Sequence, residues 1–201
     1  MREGRLLMWW LRTRRAHVFL TLGMAVFLGL VLLLQDRSSA LPSFGSSGAI
    51  TVRLVVFVPI PLVAALMTSL DSRLEAPETS GVRRIALRDT ALVIVTVTVA
   101  VAACLLLGAL IGSQVAQAAG RNVAFLTGLM LLGRALFGQA GALLPTAWVM
   151  TVVLVGFRSS NDPHPWTVVP EPLGAPHAAA GAALMLVIGV AAQIRTSRKF
   201  S

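Results

Sequence analysis

Residues Thr90–Ile111 read TALVIVTVTVAVAACLLLGALI, an apolar stretch without one charged side chain. The alternating Val and Thr at its start would suit a strand in a water-soluble protein. Its length decides otherwise. A helix crossing a bilayer needs about 20 mostly apolar residues; a buried strand needs far fewer. Thr90–Ile111 therefore predicts a transmembrane helix. Five further runs share its character, at about 17–34, 50–70, 122–137, 142–157 and 178–193; Pro59 and Pro61 are expected to kink the second of the six spans.

Composition agrees with that reading. Of 201 residues, 56% are hydrophobic and 12% charged, against about 25% charged in an ordinary soluble domain. The mean hydropathy is +0.82. One globular core has no room for so much apolar surface, and the same composition excludes a disordered chain. The expected architecture is all-α: one transmembrane domain spanning 1–201, with six spans. The first 16 residues, with Trp9, Trp10, Arg12, Arg14 and Arg15, predict an interfacial helix, its Trp rings at headgroup depth and its Arg on lipid phosphate. A signal-peptide start is the alternative, although Gln35–Ala40 offers only a weak cleavage site.

The formal net charge is +9, carried by Arg except for Lys199. These cations flank apolar runs, so anionic lipid headgroups rather than nucleic acid are the expected partners. Twelve lie in Met1–Ala16, Asp71–Asp89 and the tail after Gln193; three, Arg37, Arg121 and Arg158, lie in the segments on the other side. By the positive-inside rule both termini and Asp71–Asp89 are cytoplasmic. The proline-rich segment Arg158–His177 is then external. Rich Arg, Ala, Val, Leu and Gly suggest a bacterium, hence its cytoplasmic (inner) membrane. The lone Cys104 permits no internal disulfide and reads as packing.

Several chemistries lack their residues. Lys199 precedes Phe200, so it serves no phosphate-binding loop. His17, His164 and His177 have no zinc-hydrolase spacing. No Ser and His face each other from separate spans. Every acidic residue is expected outside the spans, which argues against a proton-coupled pump. The expectation is no catalytic site, and no metal or cofactor held by this chain. Asp162, His164, Glu171 and His177 read as a polar loop rather than a metal site.

Three features are left to carry function. Asp71–Asp89 joins Glu75 and Glu78 to Arg83, Arg84 and Arg88. Pro77 suits a helix start, and Val82, Ile85 and Ala86 share a face. It is either a loop that sets topology or a docking element for a cytoplasmic partner. Arg134, near the end of the fourth run, either snorkels to the headgroups or has an interior pairing or docking role, in the pathway or in coupling; Arg53 has a similar ambiguity at the outer face. The third feature is Arg158–His177, a connector unless Trp166 and its apolar neighbours bind something.

In this layout, and in the run Glu75, Glu78, Ser80-Gly81, Arg83-Arg84 after the second span, the chain resembles the ABC-2-type permeases of ATP-binding cassette transporters. It departs from them in being short, in Ser80-Gly81 standing where Gly-Thr is usual, and in its proline-rich external element. The resemblance implies a subunit that dimerises with itself or a paralogous permease and docks a separate cytoplasmic ATPase subunit through residues 75–88. ATP and magnesium would be bound by that partner. The cargo would be a hydrophobic or amphipathic lipid, peptide or drug. Two other classes stay open: the substrate-binding membrane subunit of a vitamin-type importer, for which Trp148 and Trp166 offer pocket material, and a membrane enzyme acting on lipids.

Overall fold

A computed structural model describes residues 16–44, 48–71, 82–160 and 162–199. The chain is predominantly helical. Helix α1 is Ala16–Leu34, and it ends where Gln35 and Asp36 interrupt the apolar run. Strands β1 (Ser38–Ser43) and β2 (Gly48–Arg53) then pair antiparallel, with Ser38 opposite Arg53 and Leu41 opposite Ile50. The second span was expected to begin at Ile50, and this is corrected. In Ile50–Arg53 the side chains of Ile50 and Val52 are buried while Arg53 is exposed, the period-2 alternation of a strand. The two strand pairs among the described residues, this one and a shorter one at the start of the proline-rich segment, also qualify the all-α expectation.

A 3-10 turn, Leu54–Phe57, leads into α2, Pro59–Asp71. Pro59 and Pro61 do not kink a span; they start one. Both lie in the first turn, where N–H groups have no intrahelical acceptor. Leu62, Val63, Leu66, Met67 and Leu70 of α2 are buried in the core.

Helix α3 is continuous from Val82 to Ile111. The expected break between a charged segment and the third span, at Asp89, does not occur. Asp89 is fully buried within α3, which also corrects the expectation that every acid lies outside the apolar helices. Helix α4 (Gln114–Phe137) follows after two residues. Gly112 adopts φ +69, and the N–H of Ser113 bonds Gly108 O at 2.8 Å, closing the preceding helix as a Gly-terminated cap does. The Ser113 hydroxyl then accepts from Ala116 N at 3.2 Å, capping the next helix. The expected connector 112–121 thus shrinks to Gly112 and Ser113, and Arg121 enters the helix.

Beyond α4, a 3-10 turn (Gly138–Leu143) leads into α5, Leu144–Val155. The ring centroids of Phe125 and Trp148 lie 5.5 Å apart. A straight helix would separate these residues by about 35 Å, so α5 folds back along α4. Short strands β3 (Phe157–Ser159) and β4 (Asp162–Pro163) and a 3-10 turn at Pro165–Thr167 precede α6, Pro176–Lys199. Pro176 again takes the first helical position.

Helices α4 and α6 cross at glycines. A Cβ on Gly128 would meet Met185 O at 2.4 Å, and one on Gly189 would meet Gly128 O at 2.3 Å. The core runs through this crossing and holds Phe27, Leu62, Leu66, Leu126, Met130 and Val152. The outside is also apolar: Leu22, Leu33, Val95, Leu106, Leu110, Leu184 and Val187 are all exposed. Such a surface exceeds what a water-soluble monomer shows and suits lipid. Leu54–Asp71, Leu87–Ile111, Gln114–Val155 and Pro176–Thr196 are long and apolar enough to cross a membrane; Val18–Leu34 is a shorter apolar helix.

The crossing sets the first test. Gly128→Ala forces a methyl into backbone, with an expected cost of about 1–3 kcal/mol. Gly29→Ala, where no described atom lies within 4 Å, is the control. Thermal unfolding of the detergent-purified protein should show a lower midpoint for Gly128→Ala and no loss for Gly29→Ala.

Candidate functional site

One end of the bundle collects most of the polar groups. It is formed by the β1–β2 hairpin, the start of α4 and the segment between α5 and α6. The hairpin is tied to the end of α5: Ser43 Oγ donates to Leu154 O at 3.0 Å, and Phe44 N to the same oxygen at 2.7 Å. Thr51 N donates to Ser160 Oγ at 3.1 Å.

At the centre of this end is Arg121, about two turns into α4 and only 9% exposed. Its Nη1 donates to Pro172 O at 2.8 Å, and its Nη2 to Val168 O at 3.1 Å and to Glu171 O at 2.5 Å. Asn122 Nδ2 donates to Val169 O at 2.8 Å. The guanidinium also reaches Asn122 Oδ1 at 3.3 and 3.4 Å. The reason lies in the local sequence. Pro163, Pro165, Pro170, Pro172 and Pro176 prevent a long helix, so carbonyls of this segment have no helical donors. Buried carbonyls need partners, and the planar fork of an arginine supplies several at once. Val168 stands at φ 56, a conformation β-branched residues rarely adopt; its own carbonyl is one of those held.

An aromatic ladder borders the latch. Trp148 meets Trp166 edge-on at 5.8 Å, and His164 stacks on Trp166 at 6.4 Å. Arg158 Nε donates to His164 Nδ1 at 3.1 Å. His177 Nε2 lies 3.5 Å from Glu171 Oε1. Trp148 Nε1 is buried and meets no acceptor among the described residues.

Two adjoining cavities open at this end. The larger measures about 330 Å³ and is bounded by Gln35, Asp36, Ser38, Arg53 and Val115. The second, about 210 Å³, has walls from Val55, Val56, Phe157 and Val169, with Arg53, Asn122 and Glu171 among its polar groups. Arg53 and Val115 line both.

At the opposite end Arg134 Nη2 lies 2.8 Å from Asp71 Oδ1 and 3.4 Å from Leu70 O. The contact ties α2 to α4. Val82, Arg83, Arg84, Ile85 and Arg88 fall on the first turns of α3. Glu75 and Glu78 lie outside the described residues, as do Trp9, Trp10, Arg12, Arg14 and Arg15. Among the described residues no three His, Cys, Asp or Glu side chains gather as metal ligands would. Cys104 is buried in α3.

Sequence reasoning missed Arg121 and Asn122 as interior residues. The signal was Gly112-Ser113, a helix stop followed at once by an N-cap residue. No family model, curated protein or solved structure matches the chain.

Arg121→Met leaves buried carbonyls unpaired, each at about 1–3 kcal/mol. Hydrogen exchange should then quicken over residues 166–173 and stay unchanged in α3. Arg37→Gln, at an exposed position of the same end, should change neither.

Proposed function

We propose that the chain is the transmembrane permease subunit of an ATP-binding cassette exporter that moves a hydrophobic or amphipathic cargo. Six membrane passes put both termini and residues 72–81 on the cytoplasmic side and the hairpin end outside. The supports are the cation distribution, with Arg37, Arg53 and Arg158 the exposed cations among the described residues of the hairpin end, and the reversal between α4 and α5.

The observation that carries the reading is the continuity of α3. Its 30 residues extend about 45 Å, past the roughly 30 Å hydrocarbon core. The charged residues Arg83, Arg84 and Arg88 therefore sit on the same rod as Ile111, beside the hairpin end. A partner seated on the first turns of α3 acts on the far side through one rigid element. ATP and magnesium belong to that partner, a cytoplasmic ATPase, and a second permease copy or paralogue completes the assembly in lipid.

The cavities at the hairpin end favour a second reading, the substrate-binding subunit of a vitamin-type importer. What co-purifies separates the two: an exporter brings a second permease subunit with its ATPase.

Docking is tested with Ile85→Asp, which buries an unpaired charge in the contact. The expected variant inserts in the membrane but neither retains the ATPase nor stimulates its turnover; Arg37→Asp, on the other side, does both. Full partner retention by Ile85→Asp contradicts the docking role. Topology is read separately, by labelling Ser160→Cys in a Cys104→Ala background. Labelling from outside supports the orientation, and labelling only from the cytoplasm reverses it.

A further inference from the structure

We propose that the two adjoining cavities at the hairpin end form one binding site for a zwitterionic amphiphile, with its apolar part among Val55, Val56, Phe157 and Val169, its anionic group on Arg53 and its ammonium group at Asp36. The site does not depend on the transport reading, because binding is a property of this chain alone.

Arg53 and Asp36 carry opposite charges at one end of the bundle. Both are exposed and both line the same polar cavity. Neither side chain makes an ion pair or hydrogen bond to another described residue. The fold holds them there: Arg53 is the last residue of β2, opposite Ser38, and Asp36 lies in the turn after α1. A cation and an anion held beside one cavity, neither paired with a described residue, are complementary to a ligand carrying both charges. Each would replace water by a charge-assisted hydrogen bond, the stronger kind.

The adjoining cavity selects the rest of the molecule. Besides its four apolar walls it includes Ala118 and Leu173, and it meets the polar cavity at Arg53 and Val115. Of its polar side chains, Arg53, Gln114, Asn122 and Glu171, the last two are engaged elsewhere. Asn122 gives its amide to Val169 O and its oxygen to Arg121. Glu171 faces His177 at 3.5 Å. An apolar body fits among the apolar walls of this lobe, and Arg53 and Gln114 are left for the polar head. The carboxylates of Asp36 and Glu171 oppose a purely anionic amphiphile; Arg53 opposes a purely cationic one. That leaves a zwitterion with an apolar body, whether a membrane lipid with an ethanolamine phosphate head or a water-soluble amphiphile of the same charge pattern.

The test uses the full chain in an uncharged detergent. Three short-chain amphiphiles with one common acyl chain are titrated calorimetrically: lysophosphatidylethanolamine, lysophosphatidylglycerol and the alkylammonium. The zwitterion should bind about tenfold or more tightly than either analogue. Arg53→Gln should weaken it by about the same factor, while Asp36→Asn should abolish the preference over lysophosphatidylglycerol. Both residues are exposed, and unchanged thermal midpoints confirm that the variants fold. Should Arg53→Gln unfold, the loss of preference in Asp36→Asn alone decides. Native mass spectrometry of the extracted chain distinguishes the sources. A retained ethanolamine lipid means the membrane supplies the ligand; added probe binding to a lipid-free chain means solution does. Equal binding of the three probes, no binding of any, or variants that behave as the parent would overturn the proposal.

Discussion

A backbone carbonyl that leaves a helix inside an apolar layer must find another donor, and most of this architecture follows from that constraint. The bundle meets it first by keeping helices long and links short. Gly112 and Ser113 end α3 and cap α4 within two residues, so few peptide groups between them lack a partner. Where the chain must leave helical geometry it pairs as strands, in β1–β2 and β3–β4. In the proline-rich segment neither device is available. There Arg121 and Asn122 reach out of α4 and bind the carbonyls of Val168, Val169, Glu171 and Pro172. A buried arginine is costly, and its cost is offset only by several good acceptors; this one has them.

The same economy of breaks gives the molecule its mechanical character. Helix α3 passes Asp89 without interruption because that carboxylate is engaged within the fold rather than released to solvent. At one end of the bundle the Asp71–Arg134 pair ties α2 to α4. At the other the Arg121 latch ties α4 to the segment entering α6. Helix α4 thus carries a polar clasp near each end and the glycine crossing with α6 between them. Helix α3 runs unbroken from its charged first turns to Ile111, four residues before Val115 of the cavity wall. We regard that continuity, rather than any catalytic group, as the basis of the permease reading.

Much of the helical layout was legible because long apolar runs have few alternatives. The start of α6 and the reversal near Gly138 fell close to where the composition placed them. What escaped was decided at a finer scale. Ile50–Val52 merges with the following apolar run when hydropathy is averaged, and only the alternation with Thr51 and Arg53 marks it as a strand. Pro59 and Pro61 read as kinks until the helix start is known. Arg121 looked like a loop cation because its acceptors lie about 50 residues away, and no local pattern announces them. Arg134 was open for the same reason: Asp71 is distant in sequence. Asp36 and Arg53 drew no joint reading, since only the pairing of β1 with β2 sets them beside one cavity.

Helix α3 is one rod from the charged turns to the hairpin end, and a distance tests this directly. Leu87 and Ile111 are both exposed on this helix, and a continuous helix separates their Cα atoms by about 36 Å. Spin labels at these two positions, in the Cys104→Ala protein reconstituted in lipid bilayers, should give one narrow distance distribution consistent with that span. A broad or markedly shorter distribution would mean that the helix breaks between the labels, and the linkage between the two ends would fall with it.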